Sequence, residues 1–160
     1  MHPTKNDLPA DKRASAVELL NDLLADLIDL QLQAKQAHWN VKGPNFIALH
    51  ELFDSVAEGA EEFVDTVAER IAALGGRAEG TTGVVVQRSK LAPYPLDIVS
   101  GRAHGEALST SLATVGKAAR GSIGRATEVG DADTADLFTE VSRGIDKKLW
   151  FVESHLQGDR

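Results

Sequence analysis

Residues 35–54 read KQAHWNVKGPNFIALHELFD, and this stretch decides the fold because one long helix ends and a second begins inside it. Upstream, Val17, Leu20, Leu23, Leu24, Leu27, Ile28 and Leu30 recur at helical spacing with good helix formers between them, which predicts helix A from Asp11 to about Asn40. Gly43 permits a turn there, and Pro44 disfavours helix in the residue before it. From about Asn45 to Leu74 the chain has no proline and is rich in Ala, Glu, Leu and Val; it closes at Gly75-Gly76, which predicts helix B. A turn this short forces the two helices to lie antiparallel.

Residues 75–99 read as a long connection. Gly80, Gly83, Pro93 and Pro95 punctuate it, Val84, Val85 and Val86 form a β-branched patch, and the one helical turn expected lies at Leu96 to Val99. Helix C is expected over about Ser100 to Val129 and helix D over about Asp133 to Leu156, parted by Gly130-Asp131. Gly101, Gly105, Gly116, Gly121 and Gly124 weaken helix C unless they serve close helix packing. The connection between B and C is long enough to run the length of a bundle, so the topology expected is an all-α, ferritin-like four-helix bundle with a long B–C crossover. A plain up-down bundle is the competing fold. The expected organisation is a flexible tail at 1–14, one bundle domain at 15–157 and a short tail at 158–160.

The composition narrows the function. At 160 residues and 42% hydrophobic, the chain suits a single core. No apolar run approaches the ~20 residues that span a bilayer, and residues 1–14 lack the apolar centre of a signal peptide. The expected place is the cytoplasm, with no membrane contact. There is no cysteine, and Met1 is the only methionine, so an oxidant finds no thiol. A formal net charge of −7 repels phosphate backbones and attracts cations.

His38, His50, Asp54, Asp65 and Glu69 carry the chemistry. Spacings of four residues stack His50 with Asp54, and Asp65 with Glu69, on one face of helix B. A mixed nitrogen and oxygen set without thiolates suits iron or manganese over a structural zinc site, although zinc could bind there too. Asp54 and Asp65 lie about 16 Å apart along the axis, too far for one metal. Two copies of helix B packed antiparallel across a two-fold axis would instead bring His50 and Asp54 of one chain opposite Asp65 and Glu69 of the other. Taken singly, each residue is better read as part of a solvated charged face or as an ordinary residue near a helix end; it is the joint pattern that points to a metal.

With those residues in view, KQAHWNVKGPNFIALHELFD, the following D-x-x-x-E-R of Asp65 to Arg70, and TADLFTEVSRGIDKKLWFVESHL at 134–156 resemble the Dps family of small ferritin-like proteins. The resemblance covers most of the chain. It implies a hollow homododecamer that oxidises iron(II) with hydrogen peroxide, or dioxygen, and stores a ferric oxyhydroxide core. It places two iron ions per intersubunit ferroxidase site on His38, His50 and Asp54 of one subunit and Asp65 and Glu69 of its partner. Trp39 matches the family tryptophan held to intercept stray radicals, with a buried interface aromatic as the alternative; Lys35 is a candidate partner for a ligand carboxylate or a bound water, with a surface lysine as the commoner fate. The Glu-x-x-His pairs of the ordinary ferritin centre are absent. The acidic segment Glu128, Asp131, Asp133 and Asp136 resembles the lining of the family's three-fold pores, with Asp136 and then Asp133 as the iron-access residues. Lys5, Lys12 and Arg13 stand against Asp7 and Asp11, and the C-terminal residues 157–160 add only Arg160, so direct DNA binding is expected to be weak or absent. A DNA-compacting protein with vestigial iron sites and a helical scaffold are the readings of another class.

Overall fold

The computed structural model describes residues 1–158, and its regular elements are all helical: α1 (Ala10–Asn40), α2 (Phe46–Ala73), α3 (Thr82–Arg88), α4 (Gly101–Val129) and α5 (Ala132–Ser154). The four long helices fall where apolar periodicity and the Gly and Pro stops put them. The expected tail at 1–14 is corrected at its inner end, because α1 starts at Ala10, directly after Pro9. The segment before it is tied to the far end of α2, where the backbone N–H of His2 donates to the Gly75 carbonyl at 2.6 Å, and within the first turn of α1 Arg13 Nη1 donates to the Leu74 carbonyl at 2.9 Å. Of the expected C-terminal tail, Asp159 and Arg160 lie outside the described residues.

Two contacts fix the topology. The crossover leaves α2 at Gly75-Gly76, where a side chain on Gly76 would collide with Val17 near the start of α1. It arrives at Val99, whose carbonyl accepts the Lys42 N–H at 3.0 Å just past the end of α1. The connection therefore travels the whole bundle, about 46 Å for the 31 residues of α1. α1 runs up, α2 down, α4 down and α5 up, with α1 packed on α2, α4 on α5 and α1 against α4. This is the ferritin-like arrangement.

The short helix of the crossover sits at Thr82–Arg88, not at Leu96 to Val99, which is irregular. Three consecutive valines have poor helix propensity. The turn forms because Val85 is buried beneath it, while Arg88 pairs with Glu18 and lies 3.9 Å from Asp22 on α1. Tertiary contacts here override local preference.

Leu20, Leu23, Leu27 and Leu30 of α1, Phe53 and Ile71 of α2, Leu108 and Leu112 of α4, and Phe138 and Ile145 of α5 form the shared core. Each such side chain contributes about 1.5–3 kcal/mol through burial. Close approach is bought with glycine at two crossings: a Cβ on Gly101 would stand 2.3 Å from Leu49 Cδ1, and one on Gly144 2.4 Å from Phe63 Cζ. A polar strip fastens the crossover to α1: Asp26 accepts the Lys90 N–H at 2.8 Å, and Gln33 donates to the Ala92 carbonyl at 3.1 Å. Near its end, the Tyr94 hydroxyl lies 2.7 Å from Nδ1 of the buried His104. Burial pushes the His104 imidazole down, partly offset by the Ile98 backbone, and pushes the Tyr94 phenol up.

Candidate metal centre

The last turn of α1 leaves carbonyls without helical partners, because the chain turns away at Val41 and Lys42 donates to Val99 instead. One of these orphans organises the site. Nδ1 of His50 lies 2.9 Å from the His38 carbonyl, and Nδ1 of His38 lies 2.8 Å from the His50 carbonyl. The two imidazoles stack with centroids 3.7 Å apart and planes 22° from parallel. A carbonyl can only accept, so both Nδ1 atoms donate, and the Nδ1–H tautomer of each ring has its lone pair on Nε2. Backbone hydrogen bonding at Nδ1 is the usual way an imidazole is oriented to ligate through Nε2.

Asp54 stands one helical turn beyond His50. Its Oδ1 pairs with the Lys35 ammonium and lies 3.9 Å from Nδ1 of His38. The Lys35 hydrogen bond holds the Asp54 carboxyl below its ordinary value, against a smaller upward push from desolvation. Lys35 thus lies against the carboxylate of Asp54. Asp54 stays ionised and only part-buried, so it remains an available oxygen donor.

Asp65 and Glu69 are exposed further along α2, well away from this cluster. Asp65 lies in an open groove whose other acids are Glu58, Glu61 and Glu62. Among the described residues, no three His, Asp or Glu side chains of one chain converge to hold a metal ion. The chain by itself sets His38, His50 and Asp54 beside one another without closing them into a metal-holding cluster, and leaves the other two apart. Around the histidines the surface is apolar and unpartnered: Trp39 is 66% exposed, Ile47 60% and Phe46 39%, and the Phe46 ring lies 5.1 Å from that of His50.

The acids at the α4–α5 turn separate into two kinds. Asp131 is buried and caps α5: it accepts from the Thr134 N–H at 3.1 Å and hydroxyl at 2.5 Å, and from Arg70 Nη2 at 2.8 and 3.1 Å. Burial pushes its carboxyl up, but the Thr134 and Arg70 hydrogen bonds outweigh that and hold it below its ordinary value. It is committed to the fold and is removed from the acidic segment expected to line a pore. Asp133, Asp136 and Glu128 are exposed, as cation-attracting residues must be.

Two buried polar features escaped the reading of the sequence: the Tyr94–His104 pair and Asp26. Asp26 did leave a signal, since it interrupts the apolar stripe Leu19, Leu23, Leu30 that faces the core.

Comparison with known proteins bears on the fold and the family. A family model described as Ferritin-like domain matches residues 17–160. The DNA protection during starvation protein of Agrobacterium fabrum is 46% identical over 156 residues, covering 98% of this chain and 96% of that protein. Among solved structures, the Mycobacterium smegmatis Dps tetragonal form superposes with a TM-score of 0.92 at 34% identity, covering 98% of this chain and 95% of the other. Dps from Microbacterium arborescens in the high iron form superposes at 0.87 with 33% identity, covering 96% and 97%. No helix among the described residues is long and apolar enough to cross a membrane. An up-down-down-up bundle with this full-length crossover, matched along nearly its entire length by relatives in sequence and in structure, places the chain in the ferritin-like superfamily as a member of the Dps family.

Proposed function

We propose that this protein stores iron and protects DNA from oxidative damage by oxidising iron(II) with hydrogen peroxide, or dioxygen, at sites shared between two subunits. The observation that carries the reading is the pair of stacked histidines, each with Nδ1 spent on a backbone carbonyl and Nε2 left to ligate. His38, His50 and Asp54 supply one half of the site, and Asp65 and Glu69 of a second copy supply the other. The exposed Trp39, Phe46 and Ile47 beside the histidines form the apolar contact that a two-fold partner would cover. A homododecamer closes these pairs into a shell around a ferric oxyhydroxide core.

Iron(II) is the substrate, two ions per site. The imidazoles and incomplete carboxylate coordination leave positions for the oxidant, and the carboxylates favour the ferric product by charge. Two iron(II) ions give two electrons, so one hydrogen peroxide, taking up two protons, becomes two waters without releasing hydroxyl radical. Trp39, next to His38, is placed to surrender an electron to any radical that escapes. Asp136, with Asp133 behind it, draws cations towards the shell.

Direct DNA binding is weak or absent. The N-terminal segment that would have to reach out has its His2 backbone N–H bonded to Gly75 and few basic side chains. Protection then follows from removing iron and peroxide in the cytoplasm. Anaerobic loading with iron(II) followed by peroxide tests the reading. Ferric absorbance should rise rapidly at about two irons per peroxide with little spin-trapped radical, and His50→Ala with Asp54→Ala should abolish the fast phase. Equal slow oxidation in both proteins would reduce the constellation to a structural feature.

A further inference from the structure

About 18 Å along α1 from His38, α1 and α4 part around a cleft of about 320 Å³ that the proposed iron chemistry does not use. Asp26 forms its floor. This carboxylate is fully buried; Oδ1 accepts the Lys90 N–H at 2.8 Å, and Oδ2 has no hydrogen-bond partner. A buried carboxylate oxygen without a donor is rare, and it marks a place where a donor is to be supplied.

The rim has the opposite charge. Lys117 and Arg125 of α4 line the cleft, and neither enters an ion pair among the described residues. Lys90 also lines it, with its ammonium 3.7 Å from Asp22. Midway between Lys117 and Arg125 is Gly121, where an added Cβ would meet nothing within 4 Å. The cleft is therefore open at its centre.

This combination selects a ligand class. A metal cation would face three basic side chains, and the carboxylates that line the cleft are the buried Asp26 and an Asp22 that already stands 3.7 Å from the Lys90 ammonium and 3.9 Å from Arg88. A bare oxyanion such as sulfate would satisfy Lys117 or Arg125 and bring no proton for Asp26. A small anion carrying hydroxyl groups does both: its phosphate or carboxylate meets the basic rim, and a hydroxyl donates to Oδ2 of Asp26. We propose that this cleft binds a small hydroxylated anion, a phosphate monoester or a hydroxycarboxylate, with Asp26 reading the hydroxyl and Lys117 and Arg125 holding the charge.

Calorimetric titration of the assembled, iron-free protein tests this with glycerol 3-phosphate and glycerate as probes, against glycerol and sulfate as their separate ends. At least one probe should bind one per chain and about ten-fold more tightly than either end; which of the two does so identifies the anion. Asp26→Asn should erase the preference for the hydroxylated probe over sulfate, and Lys117→Gln with Arg125→Gln should abolish binding. Gly121→Leu guards against a folding artefact, because it adds a better helix former into open space and should block the cleft while leaving the helical content and assembly unchanged. Binding unaffected by Gly121→Leu, sulfate held as tightly as glycerol 3-phosphate, or no heat from either probe at millimolar concentration would each overturn the proposal. None of these readouts involves iron, so the proposal stands or falls apart from the ferroxidase reading.

Discussion

Asp131→Ala should cost about 2–4 kcal/mol of unfolding free energy, a large loss for a single side chain at a helix start. The cap to Thr134 is worth about 1 kcal/mol, because its removal leaves the first turn of α5 with unsatisfied N–H groups. The larger part comes from Arg70, whose side chain is only 16% exposed and which loses both contacts to the carboxylate. Stranding a fully buried charge costs about 3–5 kcal/mol, but Arg70 already lies 3.9 Å from the exposed Asp133 and can lean towards it, so only part of that is incurred. Urea titration at one fixed protein concentration is the assay, since assembly adds to apparent stability. Replacing both partners by apolar residues, Asp131→Leu with Arg70→Met, should recover part of the loss. The pH dependence adds a second check. The folded carboxyl titrates below its ordinary 3.8, so its contribution is complete above that value and fades as pH falls through the folded pKa. The gap between wild type and Asp131→Ala should therefore close in strong acid. A loss below about 0.5 kcal/mol at neutral pH would refute this account of the α2–α5 junction.

Gly144→Ala places a methyl 2.4 Å from where Phe63 Cζ now sits and should destabilise by about 1–3 kcal/mol; differential scanning calorimetry would register a lower Tm. Burial depresses the His104 imidazole below its ordinary 6.5, so the unfolded chain binds its proton first and stability should fall as pH drops below that value. His104→Gln should flatten this slope in denaturation curves taken across the range. Phe53→Ala empties the centre of the core and should cost about 3–5 kcal/mol in urea titrations.

The long helices were legible because their apolar stripes run for many turns and end at Gly-Pro, Gly-Gly and Gly-Asp, signals that act through backbone freedom alone. The ferritin-like order of the helices followed from connection lengths. The Val84 to Val86 turn was not legible, since its helix depends on Val85 finding a pocket and Arg88 finding Glu18, contacts made across some 70 residues. Pro9 reads as tail punctuation, yet it directly precedes the first residue of α1. Asp131 resembles its acidic neighbours in sequence; only burial against Arg70 distinguishes it from Asp133. In the candidate site, spacing assembled the five residues and the likeness to the Dps family named their roles. The crossed hydrogen bonds that fix the His38 and His50 tautomers required rotamers, which spacing cannot supply.

The central claim is that each site is built from two subunits, and mixing crippled chains tests it most directly. One variant carries His50→Ala with Asp54→Ala, the other Asp65→Ala with Glu69→Ala, and each alone should lack the fast oxidation of iron(II) by peroxide. In a mixed pair, one site has lost both halves and the other keeps both intact. Equal amounts refolded together should therefore regain about one quarter of wild-type fast-phase amplitude, half of the pairs being mixed and half of their sites whole. No recovery from well-formed mixed assemblies would contradict a shared site and place the ligands within single chains.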